Sequence, residues 1–186
     1  MRRAVGTIAM IWASVAHAGG TARLPARAAP AAQDTVAPFG GTLGPVQRPP
    51  TAALARPVVL RAVRAGRDAG FDRVVFEFSG DASPGYLVEY VTQPVRACGS
   101  GALVPLSGTG HLMVRFEPAQ AHDTLGRATT RARALAPHLP QVRELKLVCD
   151  FEGQVEWAIG LAARRRFRVL VDSLPSRVIV DVRHRD

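Results

Sequence analysis

Residues 144–161 read ELKLVCDFEGQVEWAIGL, and this stretch decides the fold. On each side of Gly153, apolar side chains alternate with polar or small ones. A period of two is typical of a strand with one buried face, and a glycine between two such runs indicates a tight turn. The stretch therefore predicts an antiparallel β-hairpin. It also places Cys149 on the apolar row of the first strand, together with Leu147 and Phe151.

The same alternation recurs along the chain. We predict eight short strands, over residues 58–63, 71–78, 86–91, 112–117, 144–151, 155–161, 167–171 and 178–182. Turn-forming residues separate them, which argues for hairpin-connected strands rather than a parallel sheet covered by helices. The predicted fold is therefore all-β, an antiparallel β-sandwich of about eight strands. The one candidate helix lies within residues 118–135, where a structured turn or a loop is equally consistent with the sequence.

The N-terminus has the three parts of a secretory signal. Arg2 and Arg3 give a positive start, an apolar run covers residues 4–16, and small residues precede a cleavage point after Ala18. This pattern predicts a signal peptide over residues 1–18. The apolar run is shorter than the roughly 20 residues of a membrane-spanning helix. We therefore predict a secreted or extracytoplasmic location, at the cell envelope, with no stable membrane span after cleavage. Retention of the segment as an anchor is the alternative.

Residues 19–56 differ in composition from the rest of the chain. They are rich in Pro, Ala, Gly and Thr, and neither a helical nor a strand period runs through them. Such composition is typical of segments that cannot bury enough apolar surface to fold. We predict a disordered linker over residues 19–56 and a folded domain over residues 57–183.

The chain is strongly basic, with 24 Lys and Arg residues against 15 Asp and Glu residues and a formal net charge of +9. A basic exported protein favours anionic partners such as wall polymers. Nucleic acid is the other usual partner of a basic domain, but the predicted export and the lack of a nucleic-acid motif argue against it. We therefore expect a cell-wall polymer or an envelope protein as the partner, and no nucleic acid.

Cys98 and Cys149 are the only cysteines of the chain. An even pair in an exported protein indicates a disulfide, because thiols are oxidised outside the cytoplasm. We therefore predict a bridge between them. No set of histidines or cysteines has the spacing of a metal site, so we expect no metal and no other cofactor.

Three carboxylates near the hairpin turn are the candidates for chemistry. Asp150 and Glu152 flank Phe151 and would share one face if the strand continued, and Glu156 follows across the turn. Paired carboxylates serve glycoside hydrolases, although acids beside a turn are more often exposed residues that pair with arginines. No Ser-His-Asp arrangement and no zinc-peptidase motif occurs, so no catalytic residue is assigned.

Aromatic side chains are the second set of candidates. Tyr86 and Tyr90 occupy one row of a predicted strand, where they could either stack on sugar rings or pack in the core. Trp157 shares its row with Val155 and Ile159, and this favours a place in the core.

Six phrases, taken together and in order, carry a family resemblance. They are FDRVVFEFSG (71–80), PGYLVEYV (84–91), GSG (99–101), DFEGQVEWAIGL (150–161), FRVLV (167–171) and LPSRVIVDV (174–182). The chain thereby resembles the AMIN-like domain of exported actinobacterial proteins. That group is similar to the AMIN domain of cell-wall amidases and pilus secretins. The resemblance implies a small β-sandwich that is not an enzyme and that belongs to a group of envelope-targeting modules associated with peptidoglycan.

The leading functional prediction is an exported, non-catalytic module that binds a cell-envelope component, with peptidoglycan as the candidate. The polar residues Arg73 and Glu77, together with Asp150, Glu152 and Glu156, form the predicted contact surface. One alternative is a carbohydrate-active hydrolase, which would need two of these carboxyls about 5 to 9.5 Å apart in a cleft. The other alternative is a protein-interaction subunit of an envelope complex that binds through a sheet edge.

Overall fold

The computed structural model describes residues 39–51, 54, 56–92 and 94–185. The predicted signal peptide and the part of the predicted linker before residue 39 lie outside these residues. Within these residues the fold is built from eleven strands: β1 (Val46–Arg48), β2 (Val58–Arg67), β3 (Phe71–Phe78), β4 (Gly85–Tyr90), β5 (Gly110–Glu117), β6 (Ala119–Gln120), β7 (Ala134–Leu135), β8 (Val142–Phe151), β9 (Gln154–Leu161), β10 (Phe167–Ser173) and β11 (Ser176–Arg183).

The strands form two sheets that pack face to face. One sheet has six strands in the order β1-β4-β5-β9-β8-β7, and the other has five in the order β10-β11-β3-β2-β6. Every pairing is antiparallel except the short contact between β2 and β6. The predicted all-β sandwich is therefore confirmed. The eight predicted strands are present, and β1, β6 and β7 are additional.

Alternation places the core between the two sheets. Val74, Phe76 and Phe78 of β3 and Trp157 of β9 are fully or almost fully buried there, as predicted for Trp157. The aromatic rings meet edge to face, and the centroids of Phe76 and Phe116 lie 4.9 Å apart. Such pairs add specificity to the burial of apolar area, which is the main stabilising term.

The candidate helix within residues 118–135 is not formed. That segment holds β6, β7 and a turn in which the Asp123 side chain accepts hydrogen bonds from the backbone N–H groups of Leu125 and Arg127. Side-chain bonds of this kind offer the backbone an alternative to a helix, and Gly126 adopts a positive φ of 75° in the same turn. No helix within the described ranges is long and apolar enough to cross a membrane.

The folded part begins earlier than residue 57. β1 pairs with β4, and Thr42 makes two backbone hydrogen bonds to Phe167 at one end of β10. Phe39 packs its ring against Phe71, with the centroids 5.9 Å apart. The prediction of a linker up to residue 56 is therefore wrong for residues 39–51. A three-residue strand is too short to show a period, and its order comes from the sheet edge that it covers.

The strand that holds Cys149 contains a β-bulge, and the predicted apolar row of that strand is therefore wrong after Leu147. The pairing of β8 with β9 shifts between Leu147 and Cys149, so that side chains after the bulge change faces. Phe151 was predicted on the apolar row, but it is 60% exposed. Cys149 lies opposite Glu156 on the outer face of the six-stranded sheet.

The predicted disulfide between Cys98 and Cys149 is present. It holds the loop that follows β4 against the outer face of the six-stranded sheet, where the Cys98 N–H also donates to the carbonyl of Val148. A small second apolar cluster lies between this loop and the sheet, and it is formed by Val95 of the loop, Val148 of β8 and Ala158 of β9. The bridge and the cluster together fix a loop that has little regular structure of its own.

Candidate functional site

The outer face of the five-stranded sheet carries a row of arginines. Inner and outer residues alternate on β3, β10 and β11. The residues that lie between the buried valines and phenylalanines in the sequence therefore point outward. We call this surface the arginine face; its basic residues are Arg64, Arg73, Arg168, Arg177 and Arg183, and its acidic residues are Glu77, Asp172 and Asp181. Five positive charges against three negative charges leave a net charge of +2 on these eight residues.

Asp181 is the centre of one ion-pair cluster on the arginine face. Arg73 donates to it through two nitrogens, with Nε 2.7 Å from Oδ1 and Nη2 2.9 Å from Oδ2, and Arg168 donates through Nε at 2.9 Å. The carboxylate has no exposed surface. A buried charge is stable only when it is paired and hydrogen-bonded, and the two guanidinium groups meet that need. The hydrogen bond to Asp181 raises the pKa of Arg73 above its usual value, so the group stays charged.

Glu77 is the centre of a second cluster. Arg64 donates to its Oε2 at 2.7 Å, and Arg177 donates to the same oxygen at 3.0 Å. Arg177 also reaches Asp172 at 3.3 Å. The two predicted contact residues Arg73 and Glu77 therefore share one face, and each belongs to a chain of alternating charges.

Acid is expected to weaken the Glu77 cluster. Hydrogen bonds from Arg64 and then Arg177 hold the pKa of the Glu77 carboxyl below its usual value, against a smaller opposing effect of burial. Because the pKa is lower in the folded state, the ionised carboxylate stabilises the fold. This stabilisation is complete at a pH above the ordinary glutamate pKa, and it is lost as the pH falls through the lowered pKa. The variant Glu77→Gln should therefore show a smaller loss of unfolding free energy with acid. Urea denaturation over a series of pH values measures it, and identical acid slopes in both proteins would contradict the assignment.

Two phenylalanine rings extend the arginine face at one end. The guanidinium carbon of Arg168 lies 4.7 Å from the centroid of Phe39 and 5.1 Å from that of Phe71. The guanidinium carbons of Arg73 and Arg183 also lie within 6 Å of these rings, at 5.2 Å from Phe71 and 5.9 Å from Phe39 respectively. Cation–π contacts orient the guanidinium groups. The end of the face thus combines fixed positive charge with aromatic surface.

The three candidate carboxylates do not share one face. Asp150 points inward after the bulge, and its Oδ1 accepts a hydrogen bond from the Ala121 N–H at 2.8 Å and lies 2.9 Å from Nδ1 of His122. Glu156 points to the outer face of the six-stranded sheet, where it accepts a bond of 2.6 Å from Arg115.

Glu152 occupies the hairpin turn rather than either face. It has a φ of 50° and the following Gly153 a φ of 80°, which is the pattern of a two-residue type I′ turn. A general acid–base pair needs both carboxyls at one substrate bond. The carboxyls of Asp150, Glu152 and Glu156 do not meet this condition. Asp150 and Glu156 each accept a hydrogen bond within the fold, and Glu152 forms part of the hairpin turn.

The two tyrosines lie on the inner row of β4 and pack against the core. The Tyr90 hydroxyl donates to the carbonyl of Arg165 at 2.6 Å and accepts from the Arg165 N–H at 2.9 Å, and its ring meets Phe167 edge to face. Tyr86 borders a shallow cavity of about 450 Å³ beside Arg48 and Pro50, and burial raises the pKa of its hydroxyl. Tyr90 is therefore a packing residue, whereas Tyr86 has one side open to a groove.

Several residues of the arginine face were not found from the sequence. Arg73 and Asp181 are 108 positions apart, and only the pairing of β3 with β11 brings them together. A signal did exist in the phrase LPSRVIVDV, where Arg177 and Asp181 occupy the polar row. Phe39 lies in the segment that its composition led us to interpret as a linker, and no local pattern marks it as a site residue. Within the residues that the structure describes, no cluster of three or more His, Cys, Asp or Glu side chains could hold a metal ion.

Comparison with known proteins gives one match. The family model described as the AMIN-like domain matches residues 58–184, which is nearly the whole folded part of the chain. No curated protein and no solved structure matches the chain.

Proposed function

The chain belongs to the AMIN-like domain family, and from that premise we propose that it is an exported, non-catalytic module that binds peptidoglycan through the arginine face. The family suggests a module associated with the cell envelope. Two further features fit a place outside the cytoplasm, namely the signal-like sequence of residues 1–18 and the Cys98–Cys149 disulfide.

The observation that carries the proposal is the composition of the arginine face. Peptidoglycan presents carboxylates on its peptide stems and apolar sugar faces along its glycan strands. Guanidinium groups pair with carboxylates through two parallel hydrogen bonds, and aromatic rings stack on the apolar faces of sugars. The face carries both kinds of group, because Arg64, whose side chain is 55% exposed, and Arg177 lie beside Glu77, and the rings of Phe39 and Phe71 lie at the other end of the face.

The non-catalytic part of the proposal is supported by the placement of the candidate carboxylates. Asp150 is committed to Ala121 and His122 on the inner side of its sheet, and Glu156 is committed to Arg115 on the outer side. A hydrolase that used this pair would have to act across the thickness of a sheet. The envelope-binding function is therefore preferred over the hydrolase.

Co-sedimentation with insoluble peptidoglycan tests the proposal. The protein should be enriched in the pellet relative to an unrelated secreted protein, and the double variant Arg64→Ala/Arg177→Ala should bind about tenfold less tightly or worse, since charge-assisted hydrogen bonds are lost. The matched control is Arg127→Ala, which removes an arginine from an exposed ion pair in the loop between β6 and β7. No enrichment of the unaltered protein would exclude the proposed function. Equal loss in the control variant would move the contact away from the arginine face.

A further inference from the structure

A cavity of about 370 Å³ lies at one side of the sandwich, where an edge of each sheet comes close to the other. One wall is the middle of β2, and the other is the segment that leads into β7. We call it the β2–β7 cavity. Its lining residues are three arginines and five uncharged residues, namely Arg61, Ala62, Val63, Arg64, Thr130, Arg131, Ala132 and Leu135. None of these eight carries a carboxyl group, so the lining has three positive charges and no negative charge.

Contacts to both sheets hold the walls of the β2–β7 cavity in place. The Thr129 hydroxyl donates to the carbonyl of Leu60 at 2.7 Å, which attaches the segment before β7 to β2. β7 is in turn paired with β8 of the six-stranded sheet. Val63 and Leu135 pack against the core and form an apolar part of the lining. A site with fixed walls binds its ligand without a large ordering cost.

Arg61 owes its position to a β-bulge in β2. Before the bulge, Leu60 lies opposite Phe78. After it, Ala62 rather than Arg61 lies opposite Glu77. Regular pairing would have set Arg61 opposite the Glu77 carboxylate, whereas the bulge leaves it as the extra residue. Bulges re-aim side chains and are frequent beside functional sites.

The arginines of the β2–β7 cavity keep most of their hydrogen-bond donors unused. Within the described part of the chain, the guanidinium groups of Arg61 and Arg131 have neither an ion pair nor a hydrogen bond, and both residues are exposed. Arg64 uses one nitrogen for Glu77, and its side chain is 55% exposed. Arg73, on the arginine face, instead directs two nitrogens to Asp181. The cavity therefore gathers guanidinium groups that the fold itself does not neutralise.

We propose that the β2–β7 cavity binds the phosphate group of a phosphomonoester. Such a group carries a charge of about −1.5 to −2 at neutral pH and has three acceptor oxygens, so it can pair with several guanidinium forks at once. A carboxylate has one charge and two oxygens, and a single arginine can satisfy it. Val63 and Leu135 offer apolar surface to the organic part of the ester.

The β2–β7 cavity is distinct from the arginine face, with which it shares only Arg64. The proposal does not rest on peptidoglycan binding. Arg61 and Arg131 belong to the cavity alone, so substitutions at these two positions test phosphate binding without removing a residue of the arginine face.

Isothermal titration calorimetry of the full chain with phenyl phosphate, at low ionic strength, tests the proposal. Benzoate is the comparison ligand, because it has the same ring with a carboxylate in place of the phosphate. We expect the dissociation constant of phenyl phosphate to be about tenfold lower than that of benzoate, or lower still. It should rise with added salt, since salt screens exposed charges.

The double variant Arg61→Ala/Arg131→Ala locates the binding. We expect its dissociation constant for phenyl phosphate to rise about tenfold or more, because charge-assisted hydrogen bonds are lost. Both positions are exposed, so the variant should fold. Arg96→Ala/Arg185→Ala is the matched control, since it removes the same charge from two exposed positions outside the cavity lining.

A lipid headgroup and a soluble ester are two sources of the same phosphate chemistry. Flotation with vesicles that contain phosphatidic acid, whose headgroup is a phosphomonoester, tests the lipid source. Vesicles with phosphatidylglycerol, a phosphodiester, are the comparison. Binding to phosphatidic acid without binding to phenyl phosphate assigns the site to a lipid, provided that the alanine double variant loses it and the control keeps it.

Binding of phenyl phosphate that the alanine double variant loses and the control keeps supports the proposal with a soluble ligand. Absence of binding to both phosphate probes overturns it. Equal affinity for benzoate, or an equal loss in the control variant, also overturns it. Since Arg61 and Arg131 lie outside the arginine face, none of these results changes the expected wall binding through Arg73 and Arg177, and the two proposals can fail independently.

Discussion

Breaking the disulfide between Cys98 and Cys149 is expected to lower the free energy of unfolding by about 4 kcal/mol. The bridge joins residues 51 positions apart, and it restricts the unfolded chain over the whole segment that contains β5 to β8. A marginally stable domain has about 5 to 15 kcal/mol in total, so the expected loss is a large fraction. The folded state should also lose order locally, because the bridge holds the loop in the position where its Val95 packs against Val148.

The double variant Cys98→Ser/Cys149→Ser, unfolded in urea, measures this loss. The unaltered protein treated with a thiol reductant should show the same decrease, whereas the reductant should not affect the double variant. Hydrogen exchange should speed up most in the loop between β4 and β5. A decrease below about 1 kcal/mol would contradict the view that the bridge is a principal stabilising element.

The second large effect is expected at Asp72, where Asp72→Ala should cost about 3 kcal/mol or more. Its carboxylate is fully buried, and Oδ2 accepts hydrogen bonds from the backbone N–H groups of Gln141 at 2.6 Å and Val142 at 2.9 Å. Oδ1 lies 2.7 Å from Nε2 of His184. One side chain of β3 thus connects the start of β8, in the other sheet, with the end of the chain. Alanine would leave buried donors without acceptors, which costs more than the bonds themselves contribute.

Asp72→Asn is the matched control for this prediction. The carboxamide oxygen can still accept from both backbone groups, so the loss should be clearly smaller than for alanine. Chemical denaturation of the three proteins measures the difference. If the two variants lost the same free energy of unfolding, or if neither lost a measurable amount, the role of Asp72 in connecting the two sheets would be contradicted.

The regular strands could be predicted because their signal is local. Alternation at Val74, Phe76 and Phe78, or at Val155 and Trp157, needs only neighbouring residues to be seen. The bulge after Leu147 could not be predicted in this way. It arises from the pairing of β8 with β9, and a one-residue change there moves every later side chain to the other face. The exposed Phe151 and the inward Asp150 follow from that shift.

The candidate site was predictable only in part for the same reason. Arg73 and Glu77 were singled out because they lie on the polar row of one strand. Their partners lie on other strands, Asp181 on the distant β11 and Arg64 on the preceding β2, and the register between two strands is not a property of either strand's own sequence pattern. Phe39 could not be identified from the sequence because its position depends on contacts with Phe71 and Arg168 rather than on a local pattern.

The disulfide, in contrast, followed from reasoning that did not depend on the fold. Two cysteines and a predicted export signal were enough to pair Cys98 with Cys149. The surroundings assigned to Cys149 were wrong because the bulge intervenes. The cysteine pair and the predicted export thus identified the disulfide, whereas the bulge in β8 decides the sheet face on which Cys149 lies.

Residue-level mapping of peptidoglycan binding tests the central claim most directly. Backbone amide NMR shifts of the full chain would be followed during titration with soluble peptidoglycan fragments. The account predicts that the largest changes appear on β3, β10 and β11, around Arg73, Glu77 and Arg177, with little change on the outer face of the six-stranded sheet. Changes that centre on Arg115 and Glu156 instead, or no changes at saturating fragment, would contradict the assignment of the arginine face as the binding surface.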